Sequence, residues 1–418
     1  MPTAPRRRRL LLWGLAGAGA LLVVAGAVVA LGLWRGWFDS GSVTGSTTGF
    51  VPQAAPRGRP EARSWPEYGY DAARTRANPA LALAPPFRRA WTHDGGALLE
   101  FPPVIGGGRV VVGTNAGRAL ALDADTGRLR WSRRLPGRVA SSPALTGDLV
   151  LLTTTRGYLV ALDAATGRER WRYRAGRSVE SSPLVADGSA YIGTLDGRVL
   201  RIDLRRHRPV WTARATGQVK AGLALTARAV IVGDYSGRVS AFARRGGRLL
   251  WQTTSPGRRL AGAGRFYAGP AVAYGRAFVG NVNGRVMALQ TATGDIAWVR
   301  VLGDYVYSSA AVSRRTVYVG SYDRHLHALD AVTGRPRWEY NAGERISGSP
   351  SVIGRLVYFS TLARNPDHGR TLALDARTGR VVWTFGDGRY SPAVAVDGLL
   401  VIAGTRTLYG FRPRRAAR

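Results

Sequence analysis

Glu180 and Lys220, the only lysine in the chain, stand forty residues apart, and Tyr267 and Tyr307 follow at the matching positions of the next two stretches. A carboxylate, an ammonium and two phenols at one recurring position can converge on a shared mouth and hold a small polar ligand. Aligned through recurring Ser-Pro segments, the full column reads Leu99, Ala140, Glu180, Lys220, Tyr267, Tyr307, Ser347 and Arg389, with Glu100 one residue beyond Leu99. Glu100, Glu180, Lys220, Tyr267, Tyr307 and Arg389 are therefore the candidate ligand-binding residues. A second column reads Arg118, Tyr158, Arg198, Arg238, Arg285, His325, Arg370 and Arg406. Its six arginines (Arg118, Arg198, Arg238, Arg285, Arg370 and Arg406) offer planar, multi-donor groups suited to phosphates or carboxylates. They form a candidate anion-binding ring.

Both columns also have a purely structural explanation. Polar residues in a wet channel need no ligand, and a Glu–Lys pair can simply neutralise itself. Arg128, Arg168, Arg335 and Arg380 recur after Thr-Gly on the opposite side, so basic charge is not confined to one face. His325 and His327 alternate on one strand without a third metal ligand nearby. No nucleophile–base pair and no phosphate loop is present. No catalytic residue and no metal ligand is assigned.

The elements that position these columns are set by a tryptophan on a ruler. Trp91, Trp131, Trp171, Trp211, Trp251, Trp298, Trp338 and Trp383 are spaced by 40, 40, 40, 40, 47, 40 and 45 residues. Each of the last seven ends a longer word, such as ALDADTGRLRW at 121–131, ALDAATGRERW at 161–171, ALDAVTGRPRW at 328–338 and ALDARTGRVVW at 373–383. ALQTATGDIAW at 288–298 is looser, while RIDLRRHRPVW at 201–211 and AFARRGGRLLW at 241–251 are worn. Within one period, short apolar β-branched runs alternate with Gly turns, which predicts four short strands and excludes a helical repeat. Four strands in about 40 residues make one propeller blade. After Trp383 the chain supplies three strands and no Trp; the missing outer strand stands around 87–93 and carries Trp91. The expected fold is all-β: an eight-bladed propeller of four-stranded antiparallel blades over 65–418, closed by that N-terminal strand. The repeat Trp residues, Trp171 included, are expected to determine stability, and the recurring Asp residues to hold turns.

The word A-x-D-x-x-T-G-x-x-x-W resembles the tryptophan-docking motif of the quinoprotein family, over roughly residues 65–412. WPEYGYDAARTRANP at 65–79 resembles the segment that precedes the propeller there. The family contains pyrroloquinoline-quinone (PQQ) dehydrogenases and non-enzymatic relatives, and the chain is similar to the non-enzymatic branch that includes the outer-membrane assembly lipoprotein. For an enzyme, the resemblance implies a calcium-bound quinone, a catalytic Asp and a cation over the quinone, a part Lys220 could take. The loop resembling G-A-E-x-G-x-R-G has no counterpart here, and neither does the adjacent cysteine pair of many such alcohol dehydrogenases. No cofactor is expected, with PQQ and calcium as the alternative.

The N-terminal region reads as an anchor. Residues 10–34 hold 25 residues without a charge, long enough to span a bilayer, and Arg6–Arg9 before them place the N-terminus in the cytoplasm. The expected organisation is a basic cytoplasmic tail (1–9), a transmembrane signal-anchor helix (10–34), a flexible linker (35–64) and an extracytoplasmic propeller. Cysteine is absent, so no disulfide and no lipid-bearing cysteine is available. The net charge of +34 favours anionic surfaces or polymers over a nucleic acid, for which no recognised motif is present. These features point to a single-pass cell-membrane protein acting as a non-catalytic binding scaffold for envelope proteins. A divergent PQQ-dependent alcohol or sugar dehydrogenase and a binder of anionic envelope polymer are the alternatives.

Overall fold

Each repeat folds as its residue pattern requires. In the second blade Ala144–Thr146, Leu149–Thr153, Tyr158–Asp163 and Glu169–Arg174 pair antiparallel in that order. The second and third strands are buried along nearly their whole length, because both of their faces pack on neighbouring blades. The outer strand alternates half-buried and exposed residues, matching its alternation of aromatic and charged side chains. The computed structural model describes residues 63–257, 264–365, 368–390 and 393–414, with residues 26, 42, 45 and 47–52. Eight such sheets follow one another. The last is completed by Phe87–Asp94, which lies antiparallel to Thr407–Pro413. The all-β, eight-bladed architecture and its closure by the N-terminal strand are thus as the repeat pattern predicts.

The stretch 10–34 lies outside the described residues apart from Gly26, and the tail 1–9 lies outside them entirely. Among the described residues no helix is long and apolar enough to cross a membrane. Within the segment expected to be linker, Phe50 stacks on Tyr274 at 5.3 Å, and Arg276 and Arg315 each lie 5.4 Å from its ring.

Every outer strand skips one residue of its ladder just before the Trp, for example between Leu129 and Trp131. Such a bulge re-aims the side chain that follows it. The Trp then reaches the next blade, where its indole N–H donates to a backbone carbonyl: Trp91 to Ala124, Trp131 to Ala164, Trp251 to Thr291 and Trp298 to Ala331, all at 3.0–3.1 Å. Its ring covers the Gly of the receiving Thr-Gly turn. At Gly334 (φ 71°) a Cβ would stand 2.7 Å from the Trp298 ring. That position therefore requires glycine for both its backbone and its space.

Trp171 departs from the expectation. It is half-buried and stacks on His207 at 4.7 Å, because the worn word at 201–211 puts His207 (φ 57°) where the other copies keep Gly. The recurring Asp residues hold turns as expected. Asp123 Oδ1 accepts hydrogen bonds from the Asp125 and Thr126 backbone N–H groups, at 3.1 and 2.8 Å. The Arg130 guanidinium, followed by these turn donors, holds the Asp123 carboxyl well below the usual range.

Residues 65–78 do more than precede the propeller. They run along the innermost strands and accept a backbone N–H from seven of them in turn. Ile105 and Trp65 exchange two bonds; Leu145 donates to Pro66 O, Val185 to Glu67 Oε2, Leu225 to Ala72 O, Val272 to Ala73 O, Val312 to Thr75 O and Val352 to Arg76 O, at 2.7–3.2 Å. Seven inner edges that would otherwise stay open are covered by one segment. Its last part, Ala77–Asn78, pairs parallel with Ser351–Ile353.

Candidate functional site

The axial segment supplies the floor of a cavity on the propeller axis. Tyr68 points into it, and its hydroxyl shares a hydrogen bond with Ser349 Oγ at 3.1 Å. Arg76 lies 3.7 Å from the Tyr68 ring centroid. Arg74 is tied down beneath by carbonyls of Leu223, Ser182 and Pro183, and stands 3.6 Å from Glu67. Burial would raise the Tyr68 phenol, but the Arg76 charge and the Ser309 and Ser349 hydroxyls outweigh it and bring the phenol below its ordinary value. Burial pushes the Glu67 carboxyl up to about 7 against the pull of Arg74.

The cavity, about 250 Å³, is walled by loops that precede the inner strands. Glu100, Glu180, Lys220, Tyr267, Tyr307 and Ser347 all line it, so the first column converges on one mouth. Arg389 does not line it; its neighbour Tyr390 does, with the Arg389 guanidinium 5.2 Å from the Tyr390 ring. Lys220 Nζ is 3.0 Å from Glu180 Oε2 and 5.4 Å from the Tyr267 ring. Glu100 accepts a hydrogen bond from Asn115 Nδ2 at 3.2 Å.

Two tyrosines that the column did not include stand at or beside the wall. Tyr322 lines the cavity 4.8 Å from Tyr307, and Tyr235 lies 4.6 Å from Tyr267. Both sit in turns between the second and third strands, Gly-Ser-Tyr-Asp and Gly-Asp-Tyr-Ser. A column drawn through those turns would have found them. Burial, then the hydrogen bond with Tyr267, pushes the Tyr235 phenol far above its ordinary value; burial, then the neighbouring tyrosines, raises Tyr307 as well.

The arginine column is placed differently. Its six members stand one on each of six blades, and among the described residues none lines the cavity. Arg118 donates to Ser132 Oγ at 3.0 Å, Arg198 pairs with Asp196 at 2.9 Å, Arg370 donates to Ala342 O and Arg406 to Gly96 O. Arg238 begins a third strand half-buried, and Arg285 is fully buried. His327 is held between Asp323 (2.9 Å) and Glu339 (3.3 Å), while His325 meets the Asp323 carbonyl at 2.9 Å. Burial would raise Asp323, but the His327 contact and backbone N–H groups bring it below the usual range.

A family model described as outer membrane protein assembly factor BamB matches residues 81–157, 142–309 and 302–417. The chain belongs to this PQQ-repeat propeller family. No curated protein is matched by sequence. Among solved structures, BamB from Moraxella catarrhalis is 17% identical with a TM-score of 0.65, covering 78% of this chain and 99% of that one. Quinohemoprotein alcohol dehydrogenase from Comamonas testosteroni is 15% identical with a TM-score of 0.71, covering 85% and 82%. A europium-containing methanol dehydrogenase is 14% identical with a TM-score of 0.70, covering 84% and 98%. At these identities the likeness to solved structures is one of fold. The PQQ-repeat fold thus carries both an assembly factor and dehydrogenases, and side chains must separate them.

PQQ is a tricarboxylate, and its calcium needs a cage of oxygen ligands. Among the described residues, the charged side chains lining this cavity are two carboxylates and one ammonium, the ammonium paired with Glu180. Among the described residues, no group of three His, Asp or Glu side chains is arranged to hold a metal ion. The donor set does not fit the quinone and calcium together.

Proposed function

We propose that the chain is a membrane-anchored, extracytoplasmic propeller that works as a non-catalytic binding and assembly scaffold, receiving an envelope-protein partner on its funnel face. The observation that carries this reading is the assembly-factor family model spanning the propeller repeats, from residue 81 to 417. The cavity's donor set supports it, since among the described residues it offers a quinone tricarboxylate no unpaired lining cation. The uncharged stretch 10–34 behind Arg6–Arg9 supports a single-pass anchor with a cytoplasmic N-terminus.

The test is site-specific photo-crosslinking in native membranes. A crosslinker at Tyr305, exposed beside the cavity tyrosines, is expected to capture one dominant envelope protein, and one at Val210, exposed on an outer strand, is not. Equal capture at both positions would remove the funnel face from the reading. Dye-coupled oxidation of an alcohol or sugar after adding PQQ and calcium would overturn the non-catalytic reading. Protease added to right-side-out vesicles is expected to digest the propeller and spare the N-terminus.

A further inference from the structure

The face opposite the cavity carries a charge pattern that the scaffold reading does not use. Inner strands start at the cavity, so the turns that join first to second strands, and third to fourth, lie on the far face. In intact copies of the repeat word the third-to-fourth turn carries its own acid: Asp123 pairs with Arg130 at 2.5 Å, Asp330 with Arg337 at 2.7 Å, and Asp163 with Arg170. The worn copy at 241–251 reverses this. Ala243 stands in place of the Asp, Arg244 and Arg245 follow it, and Leu250 takes the place that Arg130, Arg170 and Arg337 hold elsewhere.

Two adjoining grooves result. The charged residues of one, about 560 Å³, are Arg201, Arg228, Arg244, Arg245 and Asp187; the other, about 490 Å³, has Arg228 and Arg248 beside Leu250 and Thr291. Asp187 pairs with Arg244 at 2.5 Å, and Arg201 donates to Ser189 Oγ at 3.0 Å and to Arg244 O at 3.3 Å. Arg228, Arg245 and Arg248 are exposed, and among the described residues no hydrogen bond or ion pair holds their guanidiniums. The bordering acids are engaged elsewhere. Asp203 accepts the Arg205 and Arg206 backbone N–H groups at 2.8 Å and faces Arg206 at 3.5 Å, and Asp295 accepts from Thr293 Oγ1 at 2.6 Å. Leu250 is 39% exposed in the same groove. A soluble phosphate leaves that leucine in water. A bilayer surface takes both, with head-group phosphates for the guanidiniums and the acyl boundary for the apolar side chain.

We propose that these grooves dock the propeller on an anionic bilayer, with lipid phosphodiester groups held by Arg228, Arg245 and Arg248 and with Leu250 entering the interface. The proposal rests on the membrane-anchored reading above, and the described part of the linker bears on it. At this face Gly45 donates to Thr333 O at 3.2 Å, Val51 to Tyr274 O at 3.0 Å, and Arg276 to Thr48 O at 3.3 Å. Ser42 Oγ accepts the Val301 N–H at the far end of Ile296–Val301, an outer strand about 20 Å long. Residues 35 to 42 extend to at most about 29 Å, so the face lies within reach of a bilayer that holds residues 10–34. Docked in this way, the funnel mouth opens away from the lipid, toward the partner that the scaffold reading requires.

The chain has no cysteine, so A227C and Y305C each place a single environment-sensitive fluorophore, one in the grooves and one on the funnel rim. The labelled full-length protein is reconstituted into nanodiscs of phosphatidylcholine, alone or mixed with phosphatidylglycerol, that carry a quencher on a lipid head group. Phosphatidylglycerol is expected to raise quenching at A227C at least about threefold and to leave Y305C unchanged. R228Q/R245Q should return A227C to the phosphatidylcholine level. R128Q/R168Q removes the same charge from the same face, at turns that keep their Asp, and should retain most of the effect. Equal loss in the two double variants, equal quenching at A227C and Y305C, or no effect of phosphatidylglycerol on protein held in the discs overturns the proposal. A response of A227C to soluble polyphosphate but not to phosphatidylglycerol assigns the grooves to an anionic polymer and overturns the lipid. Failure of the anchor reading shows separately, as protein that does not co-elute with phosphatidylcholine discs. The same full chain is then floated with vesicles of the two compositions. Binding to phosphatidylglycerol vesicles that falls roughly tenfold or more in R228Q/R245Q supports the grooves, and no binding overturns them.

Discussion

Trp298 and Trp171 end the same word on equivalent outer strands, yet only Trp298 is sealed. Trp298 is fully buried, lies over Gly334 and donates its N–H to Ala331 O at 3.1 Å. Trp171 is half-buried and rests against the His207 imidazole. The donating side chain is identical in the two docks, so the difference arises in the receiving turn. A glycine at positive φ leaves room for an indole to lie flat on the backbone, while a side chain there holds the indole off it. The receiving turn is one determinant of a repeat Trp's worth and not the whole of it, since Trp338 docks on Gly379 and donates to Ala376 O yet is only half-buried.

The comparison can be broken by substitutions of decreasing expected effect. Trp298→Ala empties a fully enclosed aromatic site and removes one of the two donors of the Ala331 carbonyl, the other being Arg276; it should cost about 3–5 kcal/mol in chemical denaturation. Gly334→Ala places a Cβ against the Trp298 ring and strains a left-handed backbone, which should cost about 1–3 kcal/mol. Trp171→Ala should cost only about 1–2 kcal/mol, since part of the ring already faces water. A loss as large as that of Trp298→Ala would show that the receiving turn does not decide the energy. His207→Gly is the smallest change: backbone strain is relieved while a stacked ring is lost, and the net shift should stay below about 1 kcal/mol. Near-ultraviolet circular dichroism of that variant should show the Trp171 signal changing as the indole settles on the turn. An unchanged spectrum would mean His207 is not what holds it off.

The blades were legible because their signal is carried by side chains at a fixed period: Trp, the turn Asp and Gly, and β-branched runs. Convergence of Glu180, Lys220, Tyr267 and Tyr307 was legible for the same reason, since equal positions in successive blades face one axis. Arg389 was misplaced by a single position, with Tyr390 taking the lining role, where the spacing after Trp383 departs from the repeat. The path of residues 65–78 was not legible. Most of its bonds to the inner strands are made by backbone carbonyls, which leave no mark on residue type. Tyr68 could therefore not be placed at the cavity floor from sequence. The half-exposed state of Trp171 was visible only as the missing Thr-Gly of the word at 201–211, a defect in the partner rather than in the residue itself.

Closure by Phe87–Asp94 also imposes an order in time. This strand leaves the ribosome before its partner Thr407–Pro413, which follows only after all the intervening blades. At about 5–20 residues per second the strand waits roughly 15–60 s for its place in the final sheet. Throughout that interval the axial segment is waiting too, because the seven N–H groups that donate to it belong to blades that appear one after another. The nascent ring thus passes through a long period with open edges, when pairing with another copy competes with closure. Once closed, Phe87–Asp94 and Thr407–Pro413 hold each other, so opening the ring at this blade must tear a pairing between segments far apart in the chain.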